Sequence, residues 1–597
     1  MDDILYKKLS SLTEISKNQL LNVLNFHSGP KDLIIQSDII KPLERICGAI
    51  WLKGNGIDKI FKLENNIPRN STNAQYYMIY SNWNVFNQVV GLIKNQIGLE
   101  NHPKGKFHII CIPQALYSFE QKLEEEGLYE TVIRLYSLQW QPIHIDKGIL
   151  SLEIPDMFKN LFVQQDLSLL QCYGKTLRHL YFVVGKPKLS IALGSNALNI
   201  LKQLDLLNED LGETDKIESE FGCVILLDRN VDYTSTLLTP RTYTALLKEI
   251  YNVKCGVCEH KQAEIEKYDN KLNVRVEKNP VLINFDSKRD TVYNNIKNRF
   301  FTEVTANLSL LIKQLKSESD TSKEMALDEL KRYVQTQLKQ VTSKKSLIAN
   351  HMNAAETIIN VLGNRFEKLQ EFELCIMQNK SKSRNYAYLT ESLLENDKLF
   401  SFRLFLLLCL TQKLSDSDVT KFLTKFFHEF GFKYGFLYNN LLKMNFIDQE
   451  QSSLQNKLMK LPNLFNNSFY QSAINMKLIP QQPEKVDVKH PTCVSYVFGG
   501  VYIPLAVQLI GSILSTTPLK EIENKLQQFG PFSITNDIGY PLTTKTVLLY
   551  VIGGVSYAEI AACNLLESLT GSRIVVMSDQ VISGNDIADS ILHSIIP

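Results

Sequence analysis

The chain lacks a long apolar run. Its two longest, Leu404–Leu410 and Val501–Leu514, are a seven-residue stretch and one interrupted by Gln508. Both fall short of the ~20 residues that a membrane-spanning helix needs. It also lacks an excess of either charge. Against 65 Lys and Arg stand 63 Asp and Glu, a formal net charge of +2 over 597 residues. That balance excludes a general polyanion-binding field and argues against nucleic acid as a partner. Cysteine is sparse. The ten residues Cys47, Cys111, Cys172, Cys223, Cys255, Cys258, Cys375, Cys409, Cys493 and Cys563 are scattered and mostly sit in apolar runs, as in a reducing compartment and not in a disulfide framework. There is no G-x-x-x-x-G-K-[ST] loop, no His-Glu-x-x-His and no Ser-His-Asp or paired-carboxylate signature, so no catalytic residue, metal or cofactor is expected. The opening MDDILYKKLS has no apolar core and the final Ser-Ile-Ile-Pro no prenylation cysteine. A cytoplasmic chain that meets membranes only through partners is the expectation.

What is present is a globular composition, 44% hydrophobic and 21% charged, long enough for about four domain-sized units. KDLIIQSD, YYMIYSNW and KFHIICIP read as buried strands, alternating with the helical stretches PLERICGAIWL, NQVVGLIKNQI and FEQKLEEEGL. Such alternation predicts a parallel sheet covered by helices. LSIALGS and FGCVILLDRN repeat the pattern, and it returns near the end as PTCVSYVFGG and KTVLLYVIGG, each read as a strand, Gly-Gly and a helix. Between 255 and 490 the periodicity is helical. Leu327, Leu330, Val334, Leu338 and Val341 form one seam, and Leu347, Ala354, Ile358 and Leu362 a second. With a polar turn at Thr342–Lys345 these predict a helical hairpin near 323–362. The expected fold is α/β, with two Rossmann-like parallel-sheet domains and a large α-helical domain inserted in the second. The first domain is 1–147. The second is split into 148–254 and 491–597. The helical domain is 255–490, closed by the breakers Pro480 and Pro483.

Five groups of residues stand out. The Gly499-Gly500 and Gly553-Gly554 turns could cradle a phosphate, but neither has the full dinucleotide fingerprint, so tight strand–helix packing is the better reading. Asp228-Arg229-Asn230-Val231-Asp232 follows a strand, where α/β enzymes keep catalytic groups. Without a partnering His or metal cluster it reads as a hydrogen-bonded structural turn. Cys255 and Cys258 are spaced like a metal or redox pair. The four ligands of a zinc site are not at hand, which leaves an incidental pair in a surface loop. Lys331, Arg332, Lys339, Lys344 and Lys345 give +5 with no acid before Glu356, either a solvated face or a dock for an acidic helix. Phe426, Phe427, Phe430, Phe432, Tyr434, Phe436 and Tyr438 crowd a segment broken by Gly431 and Gly435. Most aromatics at such density are core, yet a glycine-broken segment cannot hide all of them, and alternation there sets Phe432 and Phe436 to face a protein partner.

The segment Leu226–Val253 resembles the Sec/Munc-type (SM) family of SNARE-binding fusion regulators. Asp228, Arg229, Asp232, Leu237, Thr242 and Tyr243 match its Asp-Arg-x-x-Asp block, with Ser235-Thr236 where Thr-Pro is usual. VIGGVSYAEIAACNLLESL resembles its Gly-Gly-Glu-Ile block through Gly553, Gly554, Glu559, Ile560, Ala561 and Ala562, with Ser556 in place of Thr and Asn564 in place of Arg. SLIANHMNAAETI (Ser346–Ile358) is similar to the signature of the family's vacuolar branch. The resemblance implies a non-enzymatic subunit of the HOPS and CORVET tethering complexes. Such a subunit binds syntaxin-type SNAREs and assembled SNARE bundles through the basic hairpin. It docks on a vacuolar protein sorting-associated protein 16-type subunit through Phe432 and Phe436. It works on late endosomes, lysosomes or vacuoles. Two alternatives stand beside it: within the resemblance, an SM protein of a secretory or Golgi step, and from the residues alone, an α/β enzyme handling a nucleotide or sugar at Gly553-Gly554.

Overall fold

The computed structural model describes residues 2–64, 73–97, 107–212, 218–260, 281–321, 338–363, 365–447, 469–483, 486–537 and 539–593. After the opening helix Asp2–Leu24 come five strands: β1 Lys31–Ile35, β2 Ile57–Lys62, β3 Ala74–Tyr80, β4 Phe107–Ile112 and β5 Ile133–Ser137. They form a sheet in the order β2-β1-β3-β4-β5, parallel throughout. β3 and β4 are buried at every position, so their sequences read as unbroken apolar runs and not as alternation. Tyr77 and Ile79 pack under the helices Trp83–Ile97 and Tyr117–Glu125 through Phe86, Val89 and Phe119. Tyr76 and Met78 on the other face join the main core.

The next strands are β6 Ile143–Asp146, β7 Ile149–Ser151, β8 Leu189–Leu193 and β9 Cys223–Asp228. A small antiparallel sheet follows, of β10 Val253–Lys254, β11 Val257–His260 and β12 Val281–Asn284. Helices then run from Thr291–Ile296 to Phe469–Asn475. Three last strands, β13 Phe532–Asn536, β14 Thr546–Ile552 and β15 Arg573–Ser578, complete a seven-stranded sheet in the order β13-β8-β9-β14-β15-β7-β6. β14 sits between β9 and β15 and is parallel to both, with Val547 beside Cys223 on one side and Ile574 on the other. The sheet is thus built from segments on both sides of the helical stretch.

Several expectations need correction. β6 belongs to the second sheet, although the boundary at 147 assigns it to the first domain. Its neighbour β7 follows after a two-residue turn, and such hairpin partners are not easily split. The residues after 254 open with the β10–β12 sheet and not with helices. Val494–Phe498 is a buried 3₁₀ helix, not a strand. A five-residue apolar run fits either conformation, and periodicity cannot separate them. Gly500 there has φ 87°, and a Cβ on it would lie 2.3 Å from the Pro483 carbonyl oxygen, so the glycine lets the returning connector pass. Finally, Thr342–Lys345 is no turn. It lies within the single helix Leu338–Leu362, on an exposed face, while Val341, Ile348, His351, Ala354, Ala355 and Ile358 form its buried stripe. With no Gly or Pro to break it, a polar run of Thr, Ser and Lys is the solvated side of a helix. The helix Phe301–Thr321 packs against it; of the first seam, Leu338 and Val341 fall in this same helix, and Leu327, Leu330 and Val334 lie outside the described residues.

Candidate functional site

The Asp-Arg block lies where β9 meets the last strands. The Asp228 carboxylate accepts from the backbone N–H groups of Asn196 and Ala197, each at 2.8 Å, at the start of the helix Ser195–Leu211. Burial pushes its pKa up to about 7, while those two bonds pull the other way. Arg229 is wholly buried. Its Nη1 reaches both Glu559 oxygens, at 2.9 and 2.8 Å, and its Nη2 donates to the Asp232 carbonyl. The Asp232 carboxylate accepts from Ser235 N (3.1 Å), the Tyr502 hydroxyl (3.0 Å) and Leu505 N (3.0 Å). Ser235 also donates its hydroxyl to Asp232, so the turn that has Ser-Thr where Thr-Pro is usual is held by hydrogen bonds.

The Gly-Gly turn faces this cluster. Gly553 and Gly554 have φ of 92° and 109°, and a Cβ on them would lie 2.3 Å from the Phe162 ring and 2.6 Å from Ile582. The Gly553 N–H donates to Asp579 Oδ2. At the next helix, Tyr557–Thr570, Ser556 and Glu559 form a reciprocal capping box, a role Ser fills as well as Thr. Both ends of the turn therefore carry carboxylates, Asp579 on its N–H and Glu559 on the helix N-terminus. The Gly553 and Ser556 N–H groups are already taken by these carboxylates, where the fingerprint needs free N–H groups. The geometry disfavours the nucleotide- or sugar-handling alternative.

Thr242 precedes the helix Tyr243–Ile250 in extended conformation. The Tyr243 hydroxyl is 2.9 Å from His351 Nδ1, and His351 Nε2 is 3.1 Å from Asp290 Oδ2. Nearby, Glu373 accepts from Thr239 N at 2.7 Å and Arg241 Nη2 at 3.0 Å. Asp228, Arg229, Asp232, Tyr243 and Glu559 thus each fasten one segment of the chain to another.

The cysteine pair is not in a surface loop. Cys255 and Cys258 are buried in the β10–β11 hairpin. Burial pushes the Cys258 thiol up to about 12 and the Cys255 thiol well above its ordinary value, which makes both unreactive. Among the described residues no cluster of three or more His, Cys, Asp or Glu could hold a metal, and no helix is long and apolar enough to cross a membrane.

The outward-facing candidates lie apart from this cluster. Phe432 and Phe436 are 76% and 60% exposed, although Tyr434 between them is buried. Phe430 is half-buried against Phe426. The glycines on either side and the short 3₁₀ turn Phe432–Tyr434 hold the two rings out of the core. Of the basic group, Lys344 and Lys345 are exposed on the helix Leu338–Leu362. Lys339 is in the same helix, with its side chain outside the described residues, as are Lys331 and Arg332. The basic residues therefore do not mark a hairpin tip around Thr342–Lys345. Sequence reasoning missed a stripe on that helix: Lys345, Ala349, Met352, Glu356 and Ile359 are all exposed. Their 4-3-4-3 spacing was the available signal.

The Sec1 family model matches residues 31–590. Vacuolar protein sorting-associated protein 33B of Danio rerio is 25% identical over 98% of the chain and 97% of its own length. Among solved structures, the SM protein Vps45 in complex with the Qa SNARE Tlg2 superposes with a TM-score of 0.61 at 13% identity, covering 98% of this chain and 97% of that one. The Unc18–syntaxin 1 complex from Monosiga brevicollis gives 0.59 at 12% identity, covering 98% and 99%. The buried Asp228-Arg229-Glu559 junction sits inside the matched span, and the fold agrees across nearly the whole length: the chain belongs to the Sec1 family.

Proposed function

We propose that this chain is a SNARE-binding regulator of vesicle fusion that works through surfaces and not through a reaction. The observation that carries the reading is the similarity to a vacuolar protein sorting-associated protein 33B over 98% of the chain. Two surfaces support it. The stripe Ala349, Met352, Glu356 and Ile359 on the helix Leu338–Leu362 has the spacing that receives an amphipathic helix, and Lys344 and Lys345 beside it suit a partner with acidic flanks. Phe432 and Phe436 are exposed aromatics of the kind that anchor a permanent complex. We assign the first surface to syntaxin-type SNAREs and assembled SNARE bundles. The second we assign to a vacuolar protein sorting-associated protein 16-type subunit of HOPS or CORVET. The chain would then act from the cytoplasm, at the surface of late endosomes, lysosomes or vacuoles. The test is affinity purification of the full chain from its own cells, followed by mass spectrometry and direct titration with a recombinant syntaxin-type Qa SNARE. Recovery of a 16-type subunit together with SNARE binding supports the assignment. SNAREs of a secretory or Golgi step without tethering subunits would move the chain to another branch, and no SNARE binding would end the proposal.

A further inference from the structure

One polar side chain interrupts the inner face of the helix Leu338–Leu362. Val341, Ile348, Ala354, Ala355 and Ile358 on that face are buried and apolar. Apolar packing fixes a helix along its axis less sharply than a buried polar group does, because the polar group finds its partners at one setting alone. His351 is that group. Its ring is 1% exposed, and its two nitrogens engage different elements. Nδ1 meets the Tyr243 hydroxyl at 2.9 Å, in the first turn of Tyr243–Ile250. Nε2 meets Asp290 Oδ2 at 3.1 Å. Asp290 caps the helix Thr291–Ile296, its other oxygen accepting from Tyr293 N at 2.8 Å. The Tyr293 ring stacks on the imidazole at 6.4 Å and 18°. Two stretches that the sequence singles out separately, Thr242-Tyr243 and SLIANH, therefore meet at one hydrogen bond.

Both ring nitrogens of His351 are satisfied at once, with Nε2–H donating to Asp290 and Nδ1 accepting from the Tyr243 O–H. The other titratable groups around it are Tyr293 on the Asp290 helix, Tyr251 beyond the end of the Tyr243 helix and Cys258 of β11. Lys297 lies past the Tyr293 ring and is paired with Asp146. Asp290 is the carboxylate bonded to the ring.

We propose that His351 is a positioning residue for partner binding. Through Tyr243 and Asp290 it fixes the setting of the helix Leu338–Leu362, and hence of its outward stripe. The inference rests on the SNARE-binding reading of the stripe, but its first measurement does not. Full-length wild type, His351→Leu, His351→Gln and Tyr243→Phe are compared by amide hydrogen exchange across 341–362, and binding of a fluorescent syntaxin-type Qa SNARE motif is measured in parallel. His351→Leu speeds exchange in the helix by about tenfold or more, leaves β9 and β14 unchanged, and weakens SNARE binding by about tenfold. His351→Gln, which keeps a donor and an acceptor, recovers part of that loss. Tyr243→Phe, which removes the hydroxyl on Nδ1 and leaves the ring in place, moves exchange and binding in the same direction as His351→Leu. A packing role alone gives neither the recovery nor the Tyr243→Phe effect. Unchanged exchange in His351→Leu, or wild-type exchange in Tyr243→Phe, overturns the proposal. If His351→Leu does not fold, Tyr243→Phe decides alone. If the exchange results hold while wild type ignores the SNARE motif, the SNARE reading falls and the positioning of the helix stands.

Discussion

Arg229 and Glu559 are 330 positions apart in the chain and form a two-point hydrogen-bonded pair with neither side chain reaching solvent. Neither charge has water to fall back on, so removing one strands the other. Arg229→Ala or Glu559→Ala should destabilise the protein by roughly 3–5 kcal/mol. Chemical denaturation checks this, and a loss under about 1 kcal/mol would show that the pair is not a fastening. Glu559→Ala also removes half of the capping box on Tyr557–Thr570 and should be the worse of the two.

Burial also pushes the Asp579 carboxyl up to about 7. In the unfolded chain an aspartate titrates near its ordinary value, ~3.9. Between those two values the folded state holds more protons than the unfolded one, so stability falls as pH rises from about 4 to about 7 and then levels. The contribution is on the order of 4 kcal/mol at most for one such carboxyl. Asp579→Asn should flatten this part of the stability profile, measured by urea denaturation at stepped pH. A slope identical to wild type would show that this carboxyl does not carry it.

Phe432→Asp and Phe436→Asp should each abolish capture of the tethering partner, because a charge at an apolar anchor costs several kcal/mol at an interface, on the order of the micromolar-to-millimolar gap. Both rings are exposed, so the melting temperature of the free chain should hold. Unfolding in Phe432→Asp would mark the residue as core. Normal folding together with normal capture would remove this segment from docking.

Charge reversal at Lys339, Lys344 and Lys345 should weaken association with an acidic SNARE helix, mainly through the on-rate and mainly at low salt. The melting temperature should not move, since Lys344 and Lys345 are exposed. Titration at two ionic strengths decides the matter: equal affinities for wild type and triple variant at low salt would exclude these lysines.

How much of this was legible in the sequence follows from how local each signal is. β3, β4, β9 and β14 announce themselves because strands buried on both faces are continuously apolar. Val494–Phe498 misleads for the same reason, since its buried 3₁₀ turn is as apolar as a strand. β2 was missed because IDKIFK, with its mostly exposed side chains, has the composition of a surface segment. The Asp-Arg and Gly-Gly blocks could be recognised one by one, but not that Arg229 would find Glu559, because no periodicity links residues 330 apart. Phe432 and Phe436 were readable from aromatic alternation between glycines. The stripe through Met352 and Ile359 is present in the spacing, but the Thr-Ser-Lys-Lys run beside it has the composition of a turn as much as of a solvated helix face, and composition alone does not separate the two.

The interleaving of β9 with β14 sets a timetable for synthesis. A ribosome releases Arg229 330 residues ahead of Glu559, roughly 15–60 s earlier at ordinary translation speeds. Throughout that interval β9 has β8 on one side and a bare edge of apolar backbone on the other, the kind of edge that invites aggregation. The nascent chain must be shielded until β14 arrives. Premature stop codons placed anywhere ahead of residue 546 should therefore yield quality-control substrates, not shortened proteins with partial activity, even when the whole helical stretch has been made.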